Sequence, residues 1–102
     1  PLWRGPWIAN SRVDHMVKIS TTVAEDGALS ISISGRLTPD GCEAVDQILK
    51  DARERQQQAQ IDLADIRLLD RPSVEYLAHI RSRAIALINV PSYLIRWIEE
   101  IS

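Results

Sequence analysis

Residues 61–78 read IDLADIRLLDRPSVEYLA, an apolar stretch followed by an acid, a proline and a helical repeat. The stretch predicts a short buried strand at Ile61-Asp62-Leu63 that continues into Ile66, Leu68 and Leu69. Asp70-Arg71-Pro72-Ser73 has the composition of a helix start, because aspartate caps free backbone N–H groups and proline fits the first turn. The helix then has its apolar face at Val74, Leu77, Ala78 and Ile80.

The segment before this unit predicts a hairpin. Val17–Val23 alternates weakly, Glu25-Asp26-Gly27 is typical of a turn, and residues 28–34 then alternate strictly between apolar residues and serine. Period-two alternation predicts a half-buried strand, which we expect to end at Gly35.

Three more elements complete the pattern. Thr38-Pro39-Asp40 predicts a helix start, followed by an apolar face to about Gln56 that consists of Cys42, Val45, Ile48, Leu49 and Ala52. Residues 84–90 (AIALINV) predict a strand, and Pro91-Ser92 opens a last helix with Leu94, Ile95, Ile98 and Ile101 on its face. The order β-β-α-β-α-β-α predicts an α/β fold with a mixed sheet of about four strands and helices mainly on one face.

Composition indicates one small domain. The 102 residues are 45% hydrophobic and 25% charged, with 12 basic and 14 acidic residues and a net charge of -2. This balance makes nucleic acid an unexpected partner, and charges interrupt every apolar run before it could insert in a membrane. The single cysteine excludes an internal disulfide and suits a reducing cytoplasm. We expect a soluble cytoplasmic domain.

The first fifteen residues are expected to be foreign to the domain. Ala9 to Met16 can be back-translated as a series of four common cloning hexamers that ends in a start codon. We therefore interpret residues 1–15 as an expression-vector scar and residues 16–102 as the single domain.

The residues that could carry out catalysis are few. His79 is the only histidine after residue 15, and Cys42 lies on a helix face where a packed thiol is expected. We find neither a metal-ligand spacing nor a glycine-rich phosphate loop. We expect no enzyme activity, no metal and no cofactor.

One segment has the arrangement of a site. Asp62 lies in a predicted strand, and Asp70 stands eight residues later at the start of a helix. Loops at the carboxyl ends of parallel strands form the functional edge of such sheets. Arg71 is expected to project into solvent, with Ser73 and Glu75 beside it. The residues alone also fit an ordinary capped helix start with Arg71 as a solvated charge.

Residues 62–70 (DLADIRLLD) resemble the DLSGVxFxD strand and loop of the STAS family (sulfate transporter and anti-sigma factor antagonist). Residues 29–37 (LSISISGRL) resemble its second strand, and residues 74–77 and 85–91 resemble its second helix and following strand. The likeness covers Val17 to Ile101. It implies a mixed sheet with helices largely on one side, and a non-catalytic bacterial regulator that binds proteins.

The best-known small members of that family are antagonists of anti-sigma kinases, controlled by phosphorylation of a serine that directly follows the loop aspartate. Here Asp70 matches the aspartate, but Arg71 occupies the acceptor position. The usual phosphorylation switch is therefore absent, unless Ser73 or Thr38 replaces it. An arginine has a permanent positive charge and five N–H donors, whereas a phosphoserine would be a reversible anion.

The sequence thus predicts a regulatory module that docks a protein through Asp70, Arg71, Pro72, Ser73 and Glu75. The resemblance implies an anti-sigma or kinase-like partner. Two alternatives remain open: an accessory subunit of an ABC-type transport assembly, and a sensor that binds a small anion at Arg71 and the helix amino terminus. A homodimer through the edge strand or the last helix is also compatible with the sequence.

Overall fold

The computed structural model describes residues 17–101, which form five strands and three helices. In chain order they are β1 (Val17–Val23), β2 (Leu29–Leu37), α1 (Pro39–Glu54), β3 (Ala59–Asp62), β4 (Ile66–Leu69), α2 (Arg71–Ser82), β5 (Ala86–Ile88) and α3 (Ser92–Ile101). The predicted vector segment, residues 1–15, lies outside the described residues.

The strands form one mixed sheet in the order β1-β2-β3-β5. The predicted hairpin is present, since β1 pairs antiparallel with β2. Parallel pairs then join β2 to β3 and β3 to β5. β4 pairs in parallel with the far end of β2, so that β3 and β4 lie one after the other along the same neighbour. The α/β fold class with a mixed sheet is therefore confirmed.

The core lies between the helices and one face of this sheet. On β2, Leu29, Ile31 and Ile33 are buried, while the serines between them are only half-buried. The core cluster joins that apolar face to the predicted buried faces of α1 and α2 and to Leu94 and Ile98 of α3. Burial of these apolar surfaces, at about 25 cal/mol per Å², is the main force that holds the helices on one face.

Two predictions about the middle of the sheet were wrong. β2 does not end at Gly35 but continues to Leu37, because Gly35 has a φ of 85° and allows an irregular step in the pairing with β4. The long third strand is divided at residues 63–65, which form a turn between β3 and β4. Arg67 is the extra residue at that step, and it shifts Leu68 to the face away from the helices. Leu68 is 60% exposed, where the apolar pattern had predicted burial.

The last third of the chain is also more irregular than predicted. The strand expected over residues 84–90 is limited to Ala86–Ile88, because Ala84 and Asn89 have positive φ angles that a strand does not allow. Asp62 is the last residue of β3 rather than its middle. Ile95, expected on the apolar face of α3, is 42% exposed, whereas Leu94 and Ile98 are buried as predicted.

The three helices are short and amphipathic. α1 has 16 residues, α2 has 12 and α3 has 10. A bilayer span needs about 20 mostly apolar residues. Within residues 17–101, no helix is long and apolar enough to cross a membrane.

Candidate functional site

The start of α2 is held by two hydrogen bonds. Asp70 is the N-cap, and its Oδ1 accepts the backbone N–H of Ser73 at 3.0 Å. The Ser73 hydroxyl donates to the carbonyl oxygen of Leu37, the last residue of β2, at 3.2 Å. The cap closes the first turn, and the second bond ties this turn to the neighbouring strand. The loop between β4 and α2 therefore has a defined backbone.

Ser73 is on the inside of this loop. Its side chain is fully buried, and its hydroxyl bonds the backbone of another element rather than its own turn. In this conformation neither a partner nor a kinase reaches it. Thr38 is the N-cap residue of α1, as predicted, but its side chain makes no cap hydrogen bond and is half-buried.

Arg71 lies on the outer surface of the same turn, as predicted. Its Nε donates to Oε2 of Glu75 at 3.2 Å, one helical turn later. The two side chains remain 70% and 52% exposed, so this is a surface pair that contributes only a few tenths of a kcal/mol. Pro72 is exposed as well. Asp70, Arg71, Pro72 and Glu75 thus form one exposed group, which we call the α2 start.

The charge of the Asp70 carboxylate is stabilised by its surroundings. Contacts with Ser73, through the side chain first and then the backbone, lower the pKa of Asp70, and the positive charge of Arg36 lowers it further. Asp70 is exposed, so solvent screens these effects. The α2 start consequently presents fixed charges of both signs at neutral pH.

Leu68 also belongs to this surface, although its sequence pattern predicted burial. It precedes Asp70 by two positions and pairs in the sheet with Arg36, so both side chains point to the face away from the helices. Arginine is enriched at protein interfaces, and the exposed leucine adds apolar area beside it. No sequence signal separates Leu68 from its buried neighbours, because the irregular pairing at Arg67 decides the direction of the side chain.

Asp62 is used differently from Asp70. Its Oδ1 accepts the backbone N–H of Ala64 at 3.0 Å and the side-chain amide of Asn89 at 3.2 Å. Tyr93 donates its hydroxyl to the carbonyl oxygen of Ile66 at 3.3 Å and so ties α3 to β4. The bond between Asp62 and Asn89 joins the end of β3 to the residue after β5, which makes Asp62 a structural residue.

The contact between α1 and α2 contains two titratable groups whose pKa values are raised, Cys42 and Tyr76. Burial raises the pKa of the Cys42 thiol to about 11, although the Ser73 side chain acts in the opposite direction. Tyr76 donates its hydroxyl to Oδ1 of Asp46 at 3.1 Å, and burial raises the pKa of this phenol. Between Val17 and Ile101, no three His, Cys, Asp or Glu side chains come together in a way that could hold a metal ion.

A comparison with known proteins finds a similar fold but no related sequence. No protein-family model matches the sequence, and no curated protein does. Among solved structures, the chain is similar to an uncharacterized protein of the DUF3478 family with a SpoIIAA-like fold, from Shewanella loihica PV-4. The TM-score is 0.55 at 18% sequence identity, over 84% of this chain and 75% of the other. The chain therefore has the SpoIIAA-like fold, which is the fold of STAS domains and anti-sigma factor antagonists.

Proposed function

We propose that the protein is a non-catalytic regulatory module, similar to anti-sigma factor antagonists, which binds a partner protein in the bacterial cytoplasm. Leu68, Arg71, Pro72 and Glu75 would make the contacts, and Asp70 would hold their backbone. The SpoIIAA-like fold supports the general class. An anti-sigma or kinase-like regulator is the partner class that follows from the STAS resemblance.

The single observation that carries this proposal is a 70% exposed arginine on a fixed backbone. Binding at a preorganised surface avoids much of the ordering entropy that a loose loop would cost. Arginine also pairs in two-pronged geometry with carboxylate or phosphate groups, and it is among the residues that contribute most to protein interfaces. Leu68, 60% exposed on the adjacent strand, adds apolar area that a partner would cover.

With an arginine at position 71, the proposed binding would not be switched by phosphorylation of that residue. Phosphorylation of an acceptor there would add about −1.5 to −2 charges to the α2 start, whereas arginine keeps one positive charge at every physiological pH. Ser73, which is buried, would become a phosphoacceptor only after the first turn of α2 opened. Thr38 is half-buried at the start of α1 and is the second candidate acceptor.

A protein partner fits the α2 start better than a small anion does. Arg71 faces solvent over most of its surface, and an exposed ion pair in water contributes about 1 kcal/mol or less. A partner that covers both Arg71 and Leu68 would exclude that water and strengthen the contact. Catalysis is disfavoured because the Cys42 thiol is buried and its pKa is raised to about 11, away from the thiolate form.

The test is affinity capture with the immobilised protein and two charge reversals. Arg71→Glu reverses an exposed cation that pairs with an acid one turn later on its own helix. Lys50→Glu also reverses an exposed cation, one that pairs on α1 with an acid one turn earlier, since Lys50 Nζ lies 4.0 Å from Asp46 Oδ2. We expect Arg71→Glu to lose the captured protein and Lys50→Glu to keep it.

Mass spectrometry of the captured protein identifies its class. A kinase-fold or anti-sigma regulator supports the proposal, whereas a transporter subunit supports the alternative of an ABC-type accessory protein. Equal capture by both variants places the interface elsewhere and contradicts the proposal.

A further inference from the structure

A second concave surface lies at the amino ends of the parallel strands, whereas the α2 start lies at the carboxyl end of β4. It is a cavity of about 460 Å³ at the amino ends of β3 and β5, where α1 and α2 end. This volume lies within the range of about 300–1,000 Å³ that is usual for small-molecule sites. Nothing in the proposed docking function uses it.

The cavity has an apolar floor and a polar rim. The floor contains the core residues Leu29, Leu49 and Ala52. The polar residues of the lining are two arginines and three glutamines: Arg53, Arg83, Gln57, Gln58 and Gln60. Among the described residues, no aspartate or glutamate lines this cavity.

One wall of the cavity is fixed by a hydrogen bond. The side-chain amide of Gln57 donates to the carbonyl oxygen of Gly27, in the β1–β2 turn, at 2.8 Å. This bond connects the segment after α1 to the hairpin, so the polar rim has a defined position on that side. A preformed wall lowers the entropy cost of binding a small molecule.

The charges at the rim favour an anion. Arg53 lies in the last turn of α1, and Arg83 is the residue that follows α2. Each helix end carries a partial charge of about −0.5, which explains why one cation is favourable there. Two full positive charges exceed two such half-charges, so the lining keeps a net positive charge. An anion bound in this cavity would neutralise that charge.

From this geometry we infer that the cavity binds a small organic anion, with a phosphate or carboxylate head and a flat apolar body. The head would lie between Arg53 and Arg83, and the body would cover Leu29 and Ala52. This site is independent of the α2 start, and either could exist without the other.

The experiment titrates the full-length protein, observed by its backbone amide NMR signals, with phenyl phosphate and separately with benzoate. We expect saturable shifts that cluster at residues 57–60 and 84–86. Inorganic phosphate and phenol, each of which supplies only one half of the ligand, should bind more weakly. The better of the two complete probes identifies whether the head is a phosphate or a carboxylate.

Single substitutions test whether Arg53 and Arg83 bind the anionic head. Arg53→Gln or Arg83→Gln should raise the dissociation constant about tenfold, since each removes a charged hydrogen-bond donor. Arg96→Gln removes an exposed arginine of α3 outside the lining and should leave the constant unchanged. The same spectra report whether each variant is folded. The inference is overturned if neither probe saturates, if the shifts cluster at residues 70–73, if inorganic phosphate binds as well as phenyl phosphate, or if Arg96→Gln weakens binding equally.

Discussion

The hydroxyl of Ser73 donates a hydrogen bond of 3.2 Å to the carbonyl oxygen of Leu37, and both groups are buried. This bond joins the first turn of α2 to the end of β2, across 36 residues of sequence. It positions the backbone that carries Arg71. The rigidity of the α2 start therefore depends on a residue that is itself buried.

Removal of this hydroxyl should destabilise the protein. Ser73→Ala leaves the Leu37 carbonyl without its donor in a buried place, and we expect a loss of about 1–3 kcal/mol in the free energy of unfolding. Ser82→Ala is the matched control, because Ser82 donates to the carbonyl of His79 at an exposed position. We expect the control to change by less than about 0.5 kcal/mol. Urea denaturation measures both variants, and equal losses would contradict a structural role for the Ser73–Leu37 bond.

Much of the fold could be predicted because local patterns agree with the tertiary contacts. The alternation of Leu29, Ile31 and Ile33 and the helical spacing of Val74 and Leu77 each identify one buried face. Interactions with sequence-distant residues decide the rest. The irregular pairing of Gly35 and Arg36 with β4 turns Leu68 outward, and nothing in the local sequence reports that register. The cap at Asp70 could be predicted, whereas the distant partner of the Ser73 hydroxyl could not.

The cap at Asp70 should make stability depend on pH. Its carboxyl pKa is lowered in the folded protein from the ordinary value of 3.8, mainly by contacts with Ser73. A lowered pKa stabilises the fold above the unfolded value, and this contribution is lost as the pH falls through the folded value. Asp70→Asn keeps a capping oxygen but removes the charge. The stability advantage of the wild type over Asp70→Asn should therefore shrink from pH 6 to pH 2.

Urea denaturation at several pH values measures this difference in the free energy of unfolding. The contributions of the other carboxylates cancel, because both proteins contain them. Asp70→Ala, which removes the cap itself, should cost about 1 kcal/mol at pH 7. A difference between wild type and Asp70→Asn that stays constant with pH would show that the charge of Asp70 does not contribute.

The Cys42 thiol should be slow to react while the protein is folded. Burial raises its pKa from 9.0 to about 11, so the reactive thiolate is about a hundredfold less abundant at pH 8 than in the unfolded chain. Restricted access slows the reaction further. The rate with an aromatic disulfide reagent, followed by absorbance, should rise by at least that factor in concentrated urea. Because the sequence has one cysteine, the signal reports this site alone. Equal rates in buffer and in urea would mean that the helix contact is open.

The most direct test of the proposed docking surface is site-specific photo-crosslinking in cells of the source organism. Leu68 and Val23 are 60% and 56% exposed and lie near opposite edges of the sheet, so each can carry a photoreactive phenylalanine analogue with little effect on the core. We predict that position 68 gives one major protein adduct, that Arg71→Glu abolishes it, and that position 23 does not give it. The same adduct from both positions, or an adduct from position 68 that persists in Arg71→Glu, would contradict binding through the α2 start.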